Sequence, residues 1–435
     1  MSPTQFSLLA VLILAGCMPQ GGASRVLELS DRFLDIRKDG QWLVKFYAPW
    51  CAHCKRLEPI WNHVAQSLHN TNIRVGKVDC TRFTAMATEF KVSGFPTIMF
   101  MKGSELFTFR GDRTKQDIVD FALRVSGPPV QRITRPESIS NLRKAISLFF
   151  VYIGPYEGIL WEAYLSIAEA FQPNAYFYGV AAETARDHID FNRVPAVLVY
   201  KDNMHFFFQE PPAKDESPEE RLQAVNESLT HWINAERFHT FLKVTRGNIH
   251  QTLASNKNLV LAVVEENKLE DIPAHMIDFR DMIESVIREN KDKYHRHFQF
   301  GWTGSPELAN SVAMSVLPLP SLIVINSTTN HHHLPAEHLL GAVGLEPETI
   351  IHFLDTILDE SAPVYGGNSF FVRFYRAYFE GKTALADMWM GNPVLTSVLF
   401  GLPLGFLSLI CYSICCADIM DAEEEEEEQD HEKKE

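Results

Sequence analysis

Two cysteines separated by two residues are the part of this chain best suited to chemistry. The segment Cys51-Ala52-His53-Cys54 follows Trp42–Tyr47, an apolar and aromatic run typical of a strand. Apolar residues recur at helical spacing after it: Leu57, Ile60, Trp61, Val64 and Leu68. The pair is therefore predicted at a strand-to-helix turn, with Cys51 at the helix N-terminus, where free N–H groups and the helix dipole favour an anion. A thiolate is such an anion, and in this setting the thiol pKa falls from about 8.5 to roughly 3.5–7.5.

Other uses of such a pair are half of a zinc site and a structural disulfide. Zinc needs a second ligand pair, and before the C-terminal region the only other cysteines, Cys17 and Cys80, have no partner motif. Seven cysteines in 435 residues are too few for a disulfide scaffold. We therefore interpret the pair as a thiol–disulfide exchange site without metal or cofactor, in which a protonated His53 would also favour the thiolate.

Composition indicates a globular protein of about three domains, with 46% hydrophobic residues in 435. The net charge of −15 is concentrated at the C-terminus, because residues 417–435 hold eleven acids and two lysines, a net of −9. The other 416 residues carry −6, the difference between −15 and −9. Nothing resembles a basic footprint, so nucleic-acid binding is disfavoured.

Both ends of the chain carry membrane-targeting features. Residues 1–23 contain the apolar run Leu8–Ala15 followed by small residues, which is typical of a cleaved secretory signal, although Leu14–Cys17 also fits a bacterial lipoprotein box. Residues 393–416 form an uncharged stretch that would span about 36 Å as a helix, enough to cross a bilayer. The alternative is a buried core helix. Since the flanking charges do not follow the positive-inside rule, we let the signal segment decide the orientation, which makes 417–435 an acidic cytosolic tail. The run Glu423–Glu428 within it is predicted to be a disordered, solvated tail without regular structure.

An internal repeat occupies the region between these ends. Three segments share the pattern apolar–Pro–small–apolar, with the prolines at 96, 195 and 320, and each opens a run typical of a buried strand. Proline is acceptable at the first residue of a strand, and a cis bond is plausible there. Strands, turns and helices recur in step with the prolines, which predicts three copies of one α/β domain. The predicted segments are a redox domain at 24–128, domains without a cysteine pair at 129–237 and 238–361, and a connector at 362–392.

The residues around the cysteine pair resemble the catalytic thioredoxin domain of the protein disulfide isomerase family. The similarity is carried by Lys45–Pro59, Gly94–Thr97 and Gly111–Arg113. It implies an α/β fold of three tandem thioredoxin-like domains, one redox-active and two without CxxC, followed by a single transmembrane helix.

The resemblance also implies roles at matching positions. Cys51 would be the exposed nucleophile and Cys54 the buried resolving thiol. Pro96 would be a cis-proline beside which the substrate strand pairs, and Arg113 would approach the resolving cysteine, unless it is an ordinary surface arginine. The chain departs from the family at Lys45, where a buried acid usually exchanges the proton of the resolving thiol.

The resemblance implies a membrane-anchored thiol–disulfide oxidoreductase of the endoplasmic reticulum, with its catalytic domain in the lumen as a single-pass type I protein. Its partners would be unfolded or partly folded secretory proteins, with an upstream oxidase or glutathione as electron partner. An alternative is a membrane-tethered chaperone or adaptor whose redox pair is secondary, and Lys45 favours that alternative. A dilysine retrieval signal is incomplete, because Glu432 and His431 stand where its second lysine belongs.

Three smaller signals complete the sequence. Asn226 and Asn326 begin N-glycosylation sequons, which are meaningful if this region is lumenal. The triplet His331–His333 is interpreted as a solvated turn rather than a metal site. Cys80 is interpreted as a buried, inert thiol.

Overall fold

The computed structural model describes residues 26–213, 217–267, 269, 271–329, 331–336 and 346–432. The predicted signal segment 1–23 lies outside the described residues. The described chain forms three α/β units in sequence, each built on its own sheet, and then two long helices. The fold class predicted from the sequence is confirmed.

The first unit is a five-stranded sheet with helices on both faces. Its elements are β1 (Leu27–Leu29), α1 (Phe33–Ile36), β2 (Gln41–Tyr47), α2 (Ala52–Ser67), β3 (Ile73–Asp79), α3 (Thr84–Glu89), β4 (Thr97–Lys102), β5 (Glu105–Thr108) and α4 (Lys115–Ser126). The strand order is β1-β3-β2-β4-β5. The strands β1, β3 and β2 pair in parallel, whereas β4 pairs antiparallel with β2 on one side and with β5 on the other. Trp61 of α2 and Phe121 of α4 pack on one face, and Phe33 of α1 and Met86 of α3 pack on the other.

The second unit repeats this strand order. Its elements are β6 (Gln131–Ile133), α5 (Pro136–Ala145), β7 (Leu148–Ile153), α6 (Ile159–Phe171), β8 (Phe177–Val180), α7 (Ala182–Ala185), β9 (Ala196–Lys201), β10 (Met204–Phe207) and α8 (Pro218–Glu236). The sheet order β6-β8-β7-β9-β10 matches the first unit strand for strand. The peptide bonds that precede Pro96, Pro195 and Pro320 are all cis, so the shared proline marks the same turn in each unit.

The third unit has the same order with one strand added. Its elements are β11 (Phe241–Lys243), α9 (Ile249–Leu253), β12 (Asn258–Val263), α10 (Ala274–Glu289), α11 (Lys291–Tyr294), β13 (Phe298–Thr303), α12 (Pro306–Ala313), β14 (Ser321–Ile325), β15 (His331–His333), α13 (Pro347–Leu358) and β16 (Tyr365–Gly366). The added strand β16 lies inside the segment predicted as connector and pairs with β15. The predicted boundaries between units stay predictions.

The histidine triplet is not a solvated turn, and that interpretation is wrong. The triplet forms β15, which pairs with β14 on one side and β16 on the other. His332 is 2% exposed, and its ring stacks on that of Tyr365 in β16. Burial lowers the pKa of His332 to about 4. The strand pairing buries this ring, which the sequence pattern did not indicate.

A buried cluster of charges joins the second and third units. Glu236 at the end of α8 contacts Lys201 at 2.8 Å, Lys257 at 2.9 Å and the His295 ring at 2.9 Å. Burial alone would raise the pKa of Glu236, but these partners lower it far below its usual range. The first and third units also meet, since Thr245 donates a hydrogen bond to Asp112 at 2.7 Å.

Two helices close the chain. α14 (Phe370–Gly391) fills most of the predicted connector, and α15 (Pro393–Glu432) contains the predicted span. Residues Pro393–Ile414 are apolar and long enough to cross a membrane, with a mean hydropathy of 2.2. The expectation of a tail without regular structure is wrong, because α15 continues to Glu432; glutamate has a high helix propensity.

Candidate active site

The cysteine pair lies where the first turn of α2 follows the end of β2. Cys51 is the N-cap residue with an extended backbone, and its Sγ accepts a hydrogen bond from the backbone N–H of Cys54 at 3.2 Å. Its own N–H donates to the carbonyl of Ala48 at 3.1 Å, which fixes the turn between strand and helix. Both cysteines are free thiols. The predicted position of Cys51 at a helix N-terminus is therefore present in the structure.

Both thiols are covered by protein. Cys51 is 7% exposed and Cys54 is 3% exposed, so the expectation of an exposed nucleophile is wrong in degree. Ala48, Tyr47 and Phe95 pack around the pair, and the Cys51 thiol donates to the carbonyl of Phe95 at 3.7 Å. Cys51 is the more exposed of the two residues by a small margin.

Ionisation distinguishes the two thiols. Burial would raise the pKa of Cys51, but the hydrogen bond from the Cys54 thiol and those from the backbone N–H groups of Cys54 and His53 lower it, and the charge of Arg113 acts in the same direction. Burial, together with the hydrogen bond to Cys51, raises the pKa of Cys54 to about 11. At neutral pH, Cys51 is thus the thiol closer to its reactive form.

The turn that contains Pro96 faces the cysteine pair. Phe95, which precedes Pro96, accepts the hydrogen bond from Cys51, and its ring packs edge-on against Trp50 with centroids 6.2 Å apart. The Trp50 side chain is 71% exposed. The structure therefore places the turn that contains Pro96 next to Cys51, with an exposed aromatic ring at the rim of the site.

Arg113 is anchored at the same turn. Its Nη2 donates to the carbonyl of Pro96 at 3.2 Å. Its positive charge helps to lower the pKa of Cys51. The expected approach to the resolving cysteine stays a prediction, whereas the contact that the structure gives is with Pro96.

His53 contributes through its backbone. Its N–H is among the groups that lower the pKa of Cys51. Its exposed ring accepts a hydrogen bond at Nδ1 from Arg56 at 2.8 Å. The role of its side chain in favouring the Cys51 thiolate stays a prediction.

Lys45 is fully buried on the face of the sheet that α2 covers. Its Nζ pairs with Oε2 of Glu58, and it lies 5.6 Å from the ring centre of Trp61. Burial lowers the pKa of Lys45 against the opposing pull of Glu58. Cys54, Glu58 and Trp61 are spaced four and three residues apart on α2, so they share the helix face above Lys45.

Glu58 is the residue that the sequence argument missed. It also binds Lys77 of β3 at 2.9 Å, and Lys77 in turn binds Glu28 at 3.0 Å. Lys45 and Lys77 are directly opposite each other in the sheet, where like charges repel, and Glu58 bridges them. The i, i+4 spacing of Glu58 from Cys54 is the signal that could have identified it.

The two glycosylation sequons lie apart from this site. Asn226 is half-buried in the middle of α8, whereas Asn326 lies in the turn after β14 and accepts hydrogen bonds from Thr328 and Thr329. Within the described ranges, no group of three or more side chains is arranged to hold a metal ion.

The chain is similar to known proteins. A family model described as thioredoxin matches residues 28–124. Protein disulfide-isomerase TMX3 of Xenopus laevis is 35% identical over 409 residues, covering 93% of this chain and 85% of its own length. The human protein of that name is 33% identical over 423 residues, covering 94% and 88%. A crystal structure of human ERp44 aligns with 79% of this chain and 91% of its own, at a TM-score of 0.34 and 14% identity.

We predict that alkylation of the reduced protein selects Cys51. Because the Cys51 pKa is lowered and that of Cys54 is raised to about 11, the rate of iodoacetamide modification at Cys51 should reach its midpoint at a lower pH than that of an unperturbed thiol. Cys54 and the buried Cys80, whose pKa burial raises to about 11, should stay unmodified there. Mass spectrometry of peptides across a pH series measures all three sites.

The variant Arg113→Gln should move that midpoint to higher pH, because it removes a positive charge that favours the thiolate. Arg110→Gln, at an exposed arginine three residues away, is the matched control and should leave the midpoint in place. Equal alkylation rates at Cys51 and Cys54 near neutral pH would contradict this account of the site.

Proposed function

We propose that Cys51 and Cys54 exchange disulfides with protein substrates. The chain belongs to the TMX3 group of the protein disulfide isomerase family, which supports this proposal. The chain is a membrane-anchored thiol–disulfide oxidoreductase and disulfide isomerase. The observation that carries the assignment of residues is the opposite direction of the two pKa shifts. Cys51, whose pKa is lowered, is the better nucleophile and leaving group, whereas Cys54 stays protonated at neutral pH.

Oxidation of a substrate begins with the pair joined as a disulfide. A substrate thiolate attacks Cys51 Sγ, the Cys51–Cys54 bond breaks, and Cys54 leaves as a thiolate that takes up a proton. A second substrate thiolate then attacks the substrate sulfur of the mixed disulfide. Cys51 leaves as the stabilised thiolate, the substrate gains a disulfide, and two electrons remain on the Cys51–Cys54 dithiol. The reverse sequence reduces a substrate, and partial reversal rearranges its disulfides.

Attack by Cys54 on the mixed disulfide releases reduced substrate in that reverse sequence. Cys54 must first lose its proton, and its raised pKa opposes that loss. The positive charge of Lys45 lowers the pKa of Cys54 and so favours its thiolate. Glu58 keeps this buried ammonium paired whenever Cys54 is protonated. Lys45 therefore acts as a positioning residue that stabilises the resolving thiolate by charge, in the place where the family usually has an acid.

The substrate strand lies beside Phe95 and Pro96 in this proposal. Arg113 holds the Pro96 carbonyl, and the exposed ring of Trp50 supplies an apolar contact at the rim. Substrates are unfolded or partly folded secretory proteins, and an upstream oxidase or glutathione restores the disulfide. The catalytic unit lies in the lumen of the endoplasmic reticulum. A chaperone function independent of the cysteines stays a prediction from the sequence.

Single cysteine variants separate the two chemical roles. Cys51→Ser should abolish turnover of a reduced, unfolded substrate, because no attacking sulfur remains. Cys54→Ala should accumulate mixed disulfides at Cys51, because the resolving attack is lost. Non-reducing gels after acid quenching measure these complexes, and Cys80→Ala is the control expected to behave like the unmodified chain. Full turnover by Cys51→Ser would refute the assignment.

Lys45→Met tests the buried ammonium. Loss of its charge should raise the pKa of Cys54, and each unit of that rise corresponds to about a tenfold fall in thiolate at neutral pH. Cys51 is loaded with nitrothiobenzoate, and the release of the coloured thiolate then reports the Cys54 attack directly. Lys55→Met, at an exposed lysine beside Cys54, is the matched control. An unchanged release rate in Lys45→Met would exclude a role for this charge.

Orientation is tested in sealed microsomes. We expect that protease added outside the vesicles spares residues 24–390 and trims the acidic tail, because only the tail faces the cytosol. Asn326 lies in an accessible turn, so Asn326→Gln should remove a glycan that Asn226→Gln leaves in place. Digestion of the catalytic unit in intact vesicles would reverse the orientation.

A further inference from the structure

The helix before the span presents a continuous apolar face to its surroundings. None of the residues of α14 is buried. Six large side chains on it, here called the aromatic face, are between 46% and 81% exposed: Phe370, Phe371, Phe374, Tyr378, Leu385 and Trp389. At 3.6 residues per turn these six lie within an arc of about 100°. Soluble surfaces rarely leave such a continuous aromatic patch open to water.

The contacts between α14 and the third unit use another side of the helix. Glu380 accepts a hydrogen bond from Ser311 of α12 at 3.1 Å, and Arg376 donates to the carbonyl of Gly367 at 3.5 Å. Both residues lie more than 100° around the helix from the centre of the aromatic face. Since polar contacts hold α14 to the protein, its aromatic face is directed away from the third unit.

The joint between α14 and the span is short and held by hydrogen bonds. Asn392 is the single residue between the two helices, and its extended backbone interrupts the helical path. Its side-chain oxygen accepts from the N–H of Leu395 at 3.0 Å, and the buried Thr396 hydroxyl donates to the carbonyl of Met388 at 2.8 Å. The C-terminal end of α14 therefore lies at the boundary where the span enters the bilayer.

We propose that α14 lies along the membrane surface, with its aromatic face inserted at the boundary between lipid headgroups and acyl chains. Aromatic residues favour this boundary, because their rings are apolar and their polar tips reach water. Amphipathic helices with such a face lie in the interfacial plane, buried by about 5–10 Å. Lipid is the expected partner of the aromatic face because α14 is continuous with the span. Only one residue separates the two helices, so α14 stays within reach of the bilayer.

This arrangement has a consequence for the established activity. The third unit is attached to α14 through Ser311 and Gly367, and the first unit contacts the third through Asp112 and Thr245. An α14 that lies in the interface would hold the catalytic unit close to the membrane instead of at the end of a free tether. Substrates would then be reached near the bilayer surface.

Photoactivatable lipid tests the proposal on the full chain. The protein is reconstituted in phosphatidylcholine vesicles that contain a lipid with a diazirine on its acyl chain, and labelled peptides are mapped by mass spectrometry. We expect labelling on the aromatic face of α14 at least fivefold above the Arg376 side, alongside labelling of Pro393–Ile414. A labelled span with an unlabelled α14 would overturn the proposal, and so would equal labelling of the aromatic face and the Arg376 side.

Two matched triple variants sharpen the test. Replacing three residues of the aromatic face should lower α14 labelling at least fivefold while labelling of the span is kept: Phe371→Ser, Phe374→Ser and Tyr378→Ser. Replacing three apolar residues on the opposite side should leave α14 labelling within twofold: Val372→Ser, Phe379→Ser and Met390→Ser. Equal losses in the two variants would mean that hydrophobicity alone, and not this face, determines contact with lipid.

Discussion

The chemistry of this protein depends on hydrogen bonds at the first turn of α2 that oppose the cost of burying Cys51. Desolvation alone would raise the pKa of the thiol. The Cys54 thiol and the free N–H groups of the helix start donate to Cys51 Sγ and reverse that effect. The N-cap position therefore does more than direct the thiol, because it permits a largely covered sulfur to ionise.

The same first turn separates the two cysteines chemically. Cys54 lies one turn into the helix, where burial and the hydrogen bond with Cys51 outweigh a hydrogen bond from the backbone N–H of Ala48 and raise its pKa to about 11. The balance at Cys54 then depends on the charges below it. Lys45 supplies a positive charge, and Glu58 prevents that charge from being buried alone, which would be strongly unfavourable. The ion pair between the buried Lys45 and the partly exposed Glu58 thus couples the resolving thiol to the packing of α2 on the sheet.

The three units use one strand order for different purposes. The first places a turn and a helix start opposite each other, at Phe95–Pro96 and Cys51, and so forms the site. The second and third keep the corresponding turns, at Pro195 and Pro320, without a cysteine pair. They are joined by the buried charges around Glu236, and the third carries the helices that lead to the membrane. Anchoring and catalysis are therefore separated along the chain.

The sequence by itself determined the fold class, the repeat, the reactive pair and the apolar span, because hydrophobic periodicity, proline position and the CxxC motif are local patterns. It did not determine which charges lie together. The partnership of Lys45 with Glu58, the burial of His332 and the anchoring of Arg113 at Pro96 depend on strand register and helix packing across distant segments. Only the tertiary structure decided those contacts, since electrostatic energy depends on distance and burial in space, and neither is encoded in spacing along the chain.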